Sequence, residues 1–275
     1  MNSALNRFKG TIKPHIHNVA RRIFRMDPGY EFKAAPSIKQ QVIHFEFKQE
    51  RLSMTSDHTT PLYDTIAEIV EHDCYQFGQI DFSNSADALV LDIGAQIGTA
   101  SVVLSRLHRG KILCFEPVPA NCRLLQMNLD ANKVANAVVV PAAITDRDGF
   151  AEFEIDPKSS VAGRAAGLMA TDPRVFSQSL RAKSVTLRTA LQEFPNQMIH
   201  LIKLDCEGGE YSIVEQLTPD LLPRVRHLTF EVHDLGPTRN VRVMTAKLQR
   251  LGFRVLYKKE QHGRFGLHHL LASRS

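Results

Sequence analysis

The chain has 275 residues, of which 43% are hydrophobic and 23% charged, with 15 Gly and 13 Pro. That allows one large domain or one domain with an appendage, and excludes collagen-like, wholly disordered and low-complexity chains. The net charge of +5 sits at the ends: residues 1–26 carry six bases and no acid, residues 27–223 carry 17 bases and 26 acids, and residues 224–275 carry 11 bases and three acids.

The first 26 residues lack an apolar run of signal-peptide type, so they read as a basic surface helix or a flexible leader. Val42–Phe47 alternates as a strand does. Residues 62–77 place Leu62, Ile66, Ile69, Val70, Tyr75 and Phe77 at helical spacing. Residues 1–60 read as an N-terminal extension, and 61–275 as the main domain.

From residue 88 buried strands alternate with amphipathic helices. Ala88–Ile93 is an apolar run closing on an acid, and the helix 99–107 follows it. Lys111–Glu116 is a second such strand, followed by a helix that starts at Pro117 or Pro119. Ala137–Pro141 is a third strand, and Phe150–Ile155 alternates like an exposed one. Residues 156–182 read as an irregular loop, long enough to be a lid over an acceptor site. Met198–Asp205, Glu210–Leu217, Val225–His233 and Asn240–Leu251 continue the strand–helix alternation. Phe253–Tyr257 and Phe265–Leu271 close it, with a turn near Gly263. Strands apolar on both faces imply a parallel sheet covered on both sides, hence a doubly wound α/β fold.

No apolar run approaches the ~18 residues of a bilayer-crossing helix. Cys74, Cys114, Cys122 and Cys206 form no metal or redox motif. They read as free thiols in a reducing, cytoplasmic setting. Without Trp and with 7% aromatics, base stacking has little support, so no nucleic-acid partner is expected.

The turn Leu91-Asp-Ile-Gly-Ala-Gln-Ile-Gly98 carries the strongest signal. A glycine-rich turn between strand and helix lets a ligand approach the backbone. Its G-x-x-x-G spacing, with an acid before it, disfavours a pyrophosphate and suits a ligand with an ammonium group. Glu116 ends the next strand, where a ribose diol is held in such folds. An acid for an amine and an acid for a ribose suggest S-adenosylmethionine. The alternatives are a nicotinamide-dependent oxidoreductase and an inactive binding protein of the same fold.

Leu91–Gly98, Phe115-Glu-Pro117, Leu201-Ile-Lys-Leu-Asp-Cys-Glu-Gly-Gly-Glu210 and Phe230-Glu-Val-His233 together resemble the signature blocks of the FkbM family of S-adenosylmethionine-dependent methyltransferases. The resemblance covers roughly residues 60–272. It implies a class I methyltransferase fold, with a seven-stranded sheet whose last strand is antiparallel. It implies O-methylation of a hydroxyl on a sugar, glycan or small natural product. By position, Asp92, Gly94, Ala95 and Gly98 would line the methionine end of the cofactor. Glu116 would take the ribose, and Ala143 and Asp146 would lie at the adenine.

Asp205, Glu207 and Glu210 crowd one strand end, where unpartnered acids raise each other's pKa. Asp205 and Glu207 are read as holding the acceptor, through a divalent cation such as Mg or Ca if one is present. Glu210 serves equally as a helix-start acid. Glu231 and His233 share a strand face, so Glu231 can orient His233 as the base that removes the hydroxyl proton. His72, His200 and His227 are read as structural, and His268-His269 as an improbable metal site.

Overall fold

The computed structural model describes residues 40–57, 61–155, 163–165, 178–259 and 268–274. The expected basic N-terminal helix, the turn near Gly263 and most of the 156–182 loop lie outside them.

The chain begins with a hairpin of β1 (Gln40–Phe47) and β2 (Glu50–Asp57). Its two turn residues, Lys48 and Gln49, have φ of 48° and 65°. A two-residue turn with both φ positive matches the right-handed twist of the strands. Lys-Gln is not the usual chemistry for such a turn, so β2 was not expected from the sequence. Leu52 and Met54 of β2 are buried in the same core as Ile97, Val102 and Leu125. The hairpin is clamped from the side by Asn128 and Asn132. The Ser53 and Thr55 amides donate to the Asn132 and Asn128 side-chain oxygens at 2.9 and 2.7 Å, and both side-chain NH2 groups donate back to the same residues' carbonyls. The Asn128→Ala variant removes both side-chain partners of the half-buried Thr55 backbone. It should cost ~1–3 kcal/mol, read as a lower urea midpoint at unchanged slope.

The expected helix over 62–77 is shorter. α1 (Leu62–Ile66) widens into a π turn over Ala67–Glu71. Asp73 then ends it by accepting from the Phe77 and Gly78 amides at 2.7 and 3.0 Å. Tyr75 and Phe77 are buried as expected, but from a turn and the short 3-10 helix Phe77–Gln79 that follows it.

The main sheet is built from β3 (Leu89–Ile93), β4 (Ile112–Phe115), β5 (Ala137–Val140), β10 (Ile199–Leu204), β11 (Val225–Val232), β12 (Arg254–Lys259) and β13 (His268–Ser273). Between them lie α2 (Thr99–Leu107), α3 (Pro119–Ala131), α4 (Leu187–Ala190), α5 (Glu210–Glu215) and α6 (Val241–Arg250). The order across the sheet is β12-β13-β11-β10-β3-β4-β5. All neighbours are parallel except β13, which runs antiparallel to β11 and β12. The doubly wound sheet of seven strands with an antiparallel last strand is therefore present as expected. β3 is buried throughout, with Leu89, Leu91 and Ile93 in one core and Val90 in the other. Alternation then puts Asp92 on the α2 side.

A second sheet was not foreseen. It pairs β6 (Ala143–Ile144), β9 (Gln178–Val185), β7 (Gly149–Ile155) and β8 (Gly163–Ala165) in the order β6-β9-β7-β8. The irregular loop expected over 156–182 thus contains β8 and the start of β9. Strand β9 hides in the sequence because Leu180 is the one large apolar residue on the face it shares with Ala182 and Ser184, and the other face carries Arg181 and Lys183.

The order of the main sheet reverses between β3 and β10. Ligands of open α/β sheets bind at such a point, beyond the carboxyl ends of the strands. Here the two chain segments touch: a Cβ added to Gly94 would lie 1.7 Å from the Asp205 carbonyl oxygen. Only glycine fits that approach, and Gly94 also has φ of 78°.

Candidate active site

A cavity of about 1090 Å³ opens over this edge. The turns after β3, β4, β10 and β11 line it, together with the β5–β7 segment and residues of α1 and the Tyr75 loop.

One half is lined by the turns after β3 and β4 and by the segment between β5 and β7. Of the expected cofactor residues, Gly94, Ala95, Glu116, Ala143 and Asp146 line the cavity. Glu116 is 5% exposed. Its Oε2 accepts from the Gln96 amide at 2.9 Å, and its Oε1 from the Val118 amide at 2.9 Å and Asn121 Nδ2 at 3.3 Å. Burial pushes its pKa up to about 7 against the pull of these bonds. A carboxylate has about four acceptor positions, so capacity remains for a hydroxyl donor. Two further groups were missed in the sequence. Thr99 Oγ1 and Gln96 Nε2 are buried without a hydrogen-bond partner among the described residues, and both residues line the cavity. Such orphaned groups call for a polar ligand.

Two expected cofactor residues do not line the cavity. Asp92 is fully buried. Its Oδ2 accepts from Ser101 Oγ at 2.6 Å, and its Oδ1 lies 3.2 Å from Lys203 Nζ, an ion pair and not an aligned hydrogen bond. Asp92 is thus walled in by its own chain, away from the cavity where its ammonium contact was expected. Gly98 is a packing glycine: a Cβ there would meet Leu125 Cδ1 at 2.3 Å. Asp146 lines the cavity from an exposed position, with 73% of its side chain open.

The other half is rich in carboxylates, and the structure brings Asp205, Glu207, Glu231 and His233 together there as expected. Asp205 Oδ2 accepts from Tyr75 Oη at 2.6 Å and lies 3.6 Å from Lys203 Nζ. Burial and Glu231 raise its pKa. Lys203 resists the neutralising pull of burial, because Asp92 and Asp205 hold its pKa above the usual range. Neither Lys203 nor Tyr75 was a sequence candidate. Glu210 proves to be fully buried, with Oε1 accepting from the Cys206 amide at 2.9 Å.

His233 differs from the expected base. Its Nδ1 faces Glu210 at 3.2 Å, and its Nε2 faces Glu207 and Glu231, each at 3.4 Å. Burial favours a neutral ring, but hydrogen bonds to Glu210 and Glu231 and the charges of Glu210 and Glu207 push its pKa up to about 12. An imidazolium has no lone pair to take a proton, so these three carboxylates weigh against His233 as the base and toward Glu207. Glu231 stays ionised between His233 and His269, its pKa lowered despite burial. Glu207 is the poised group. Burial and the acids Asp205, Glu231 and Glu210 outweigh His233 and push it up to about 7. Its side chain is 32% exposed to the cavity, and its own φ is 51°.

The cation expected between Asp205 and Glu207 finds both carboxylates already partnered within the chain. Asp205 Oδ2 is taken by Tyr75 and Lys203, and Glu207 by His233. The groups whose ligand atoms converge, within 4.8 Å, are Asp205, Glu231 and His233. Lys203 and the charged His233 already bring positive charge to these acids. His200 and His227 are structural as expected: their rings stack edge-on at 5.1 Å, and His227 Nδ1 meets Ser273 Oγ at 2.9 Å.

Comparison with known proteins bears on this site. The synthetase AmbE of Pseudomonas aeruginosa, described as an AMB antimetabolite synthetase, is 27% identical over 209 residues; these are 63% of this chain and 10% of that protein. The chain therefore spans a tenth of this curated relative. An FkbM methyltransferase from Methylobacillus flagellatus superposes with a TM-score of 0.49 at 16% identity, covering 72% of this chain and 46% of that one. An rRNA methylase from Streptococcus thermophilus superposes with a TM-score of 0.41 at 11% identity, covering 78% and 93%. Neither superposition carries an argument about activity. The model of the methyltransferase FkbM domain matches residues 92–255, more than half of the chain and every strand-end block of the cavity. The chain belongs to the FkbM methyltransferase family.

Proposed function

We propose that this chain is an S-adenosylmethionine-dependent O-methyltransferase acting on a hydroxyl of a sugar, a glycan or a small natural product. One observation carries this reading: the orphaned Thr99 and Gln96 groups and the buried Glu116 share a cavity with Glu207, a carboxylate poised near neutrality. Glu116 would accept the ribose hydroxyls. Thr99 and Gln96 would meet polar groups of the same ligand. When bound, S-adenosylmethionine supplies an electrophilic methyl group, so the acceptor oxygen needs alignment and loss of its proton. Glu207 would take that proton at its carboxylate, and the charged His233 would hold Glu207 in place.

The acceptor half supports a small acceptor over a nucleic acid. Asp64, Glu68, Glu207, Glu231 and Asp234 line it, and phosphates would be repelled there. No described helix is long and apolar enough to cross a membrane. The four cysteines are free, which fits a reducing cytoplasmic setting.

Calorimetry with S-adenosylhomocysteine tests the cofactor, and labelled methyl transfer to a panel of glycans and natural products tests the acceptor. The Glu116→Ala variant should weaken the nucleoside by ~1–3 kcal/mol, because it strips an acceptor and leaves buried amides unpaired. Binding of NAD without binding of S-adenosylhomocysteine would instead select an oxidoreductase.

A further inference from the structure

With Asp92 sealed behind Ser101 and Lys203, the cofactor's ammonium group lacks the acid expected for it. The carboxylate beside the Gly94 turn that does line the cavity is Asp205, whose backbone touches Gly94. Its side chain is 26% exposed. Two nearly buried groups grip one of its oxygens. Tyr75 Oη donates to Oδ2 at 2.6 Å, and Lys203 Nζ lies 3.6 Å from the same atom. No hydrogen bond among the described residues engages Oδ1.

The grip is itself anchored. Lys203 is 3% exposed, donates to the Gly94 carbonyl at 2.9 Å and lies 5.1 Å from the centre of the Tyr75 ring. Tyr75 is 5% exposed, and its carbonyl accepts from Thr229 Oγ1 on β11 at 2.7 Å. Tyr75 also lies outside the residues 92–255 that match the family. A cation behind a carboxylate keeps it ionised. A second donor on the same oxygen fixes its rotation, because each carboxylate oxygen takes only a few bonds.

We propose that Lys203 and Tyr75 are a positioning pair that reserves Asp205 Oδ1 for the ammonium group of the bound cofactor. Asp205 is then a cofactor residue and not an acceptor residue, which rests on the S-adenosylmethionine reading above. The pair acts through Asp205 and touches neither methyl nor acceptor.

The test compares two probes by calorimetry. S-adenosylhomocysteine carries the amino-acid end, and 5′-methylthioadenosine lacks it. Tyr75→Phe keeps the ring and removes the grip. Asp205→Asn keeps the shape and removes the charge. Each should weaken S-adenosylhomocysteine by about tenfold or more and leave methylthioadenosine roughly unchanged. The acceptor KM should not move. Lys203→Met should show the same split; if it fails to fold, the Tyr75→Phe result stands by itself. Equal weakening of both probes would mean a structural role and overturn the proposal. So would an unchanged affinity for S-adenosylhomocysteine, or a raised acceptor KM in its place. A wild-type chain that binds neither probe removes the cofactor reading and this proposal with it. Binding of both probes with no discrimination by the variants removes this proposal alone.

Discussion

Replacing Glu207 by Gln should lower kcat by about 10²–10⁴-fold while leaving cofactor affinity intact, the loss typical of a missing general base. The substitution keeps the side chain's size and removes only its basicity. The pH dependence separates this role from mere packing. Glu207 must be ionised to take a proton, and its pKa is pushed up to about 7. In the wild type kcat should therefore rise as pH passes upward through about 7, and that limb should vanish in Glu207→Gln. His233→Asn gives the complementary result. It removes the imidazolium that lowers the Glu207 pKa, so the limb should survive and move to higher pH. If His233 were the base, the pattern would invert: the limb would persist in Glu207→Gln and disappear in His233→Asn. Single-turnover rates across the pH range distinguish the two.

The strand-end acids were legible because they break a rule. A buried apolar strand such as Leu89–Ile93 has no reason to close on a carboxylate unless something meets it. That logic located Asp92, Glu116, Asp205 and Glu231 correctly at one sheet edge. It could not say which of them face the ligand. Side-chain alternation turns Asp92 to the α2 side, where Ser101 nine residues later captures it. Lys203 was invisible for the opposite reason. One lysine in Leu201–Leu204 reads as an exposed strand residue, and its partners are supplied from Asp92 and Gly94, more than a hundred residues earlier.

The charge state of His233 was equally beyond a local reading. Glu231 is visible two residues away, but Glu207 and Glu210 arrive from the turn after β10. Three carboxylates instead of one favour the protonated ring over a free base. The missed strands have a different cause. β2 and β9 carry polar or small residues on one face, and the Lys48-Gln49 turn before β2 lacks the Asn-Gly signal of a tight hairpin. Strands of that kind become visible only through their partners, such as the Asn128 and Asn132 side chains that tie β2 to α3.

Asp92→Ala should act on folding and not on recognition. Asp92 is fully enclosed, and it shares the charge of Lys203 with Asp205. Removing one partner of a buried ion pair costs up to about 3–5 kcal/mol when the other charge is left alone, and here Asp205 retains part of that compensation for Lys203. The Ser101 hydroxyl loses its acceptor at the same time. Urea unfolding should show a much lower midpoint with little change of slope, since the same surface is exposed on unfolding. The fraction that remains folded should still bind 5′-methylthioadenosine, because Thr99, Gln96 and Glu116 are untouched. Asp92→Asn keeps an acceptor for Ser101 and should recover part of the stability. Lys203 would still lack one of its two counter-charges, so recovery should stop well short of the wild type. A stable Asp92→Ala protein that has lost nucleoside affinity would reverse the argument, returning Asp92 to the cofactor and taking the role proposed for Asp205 away.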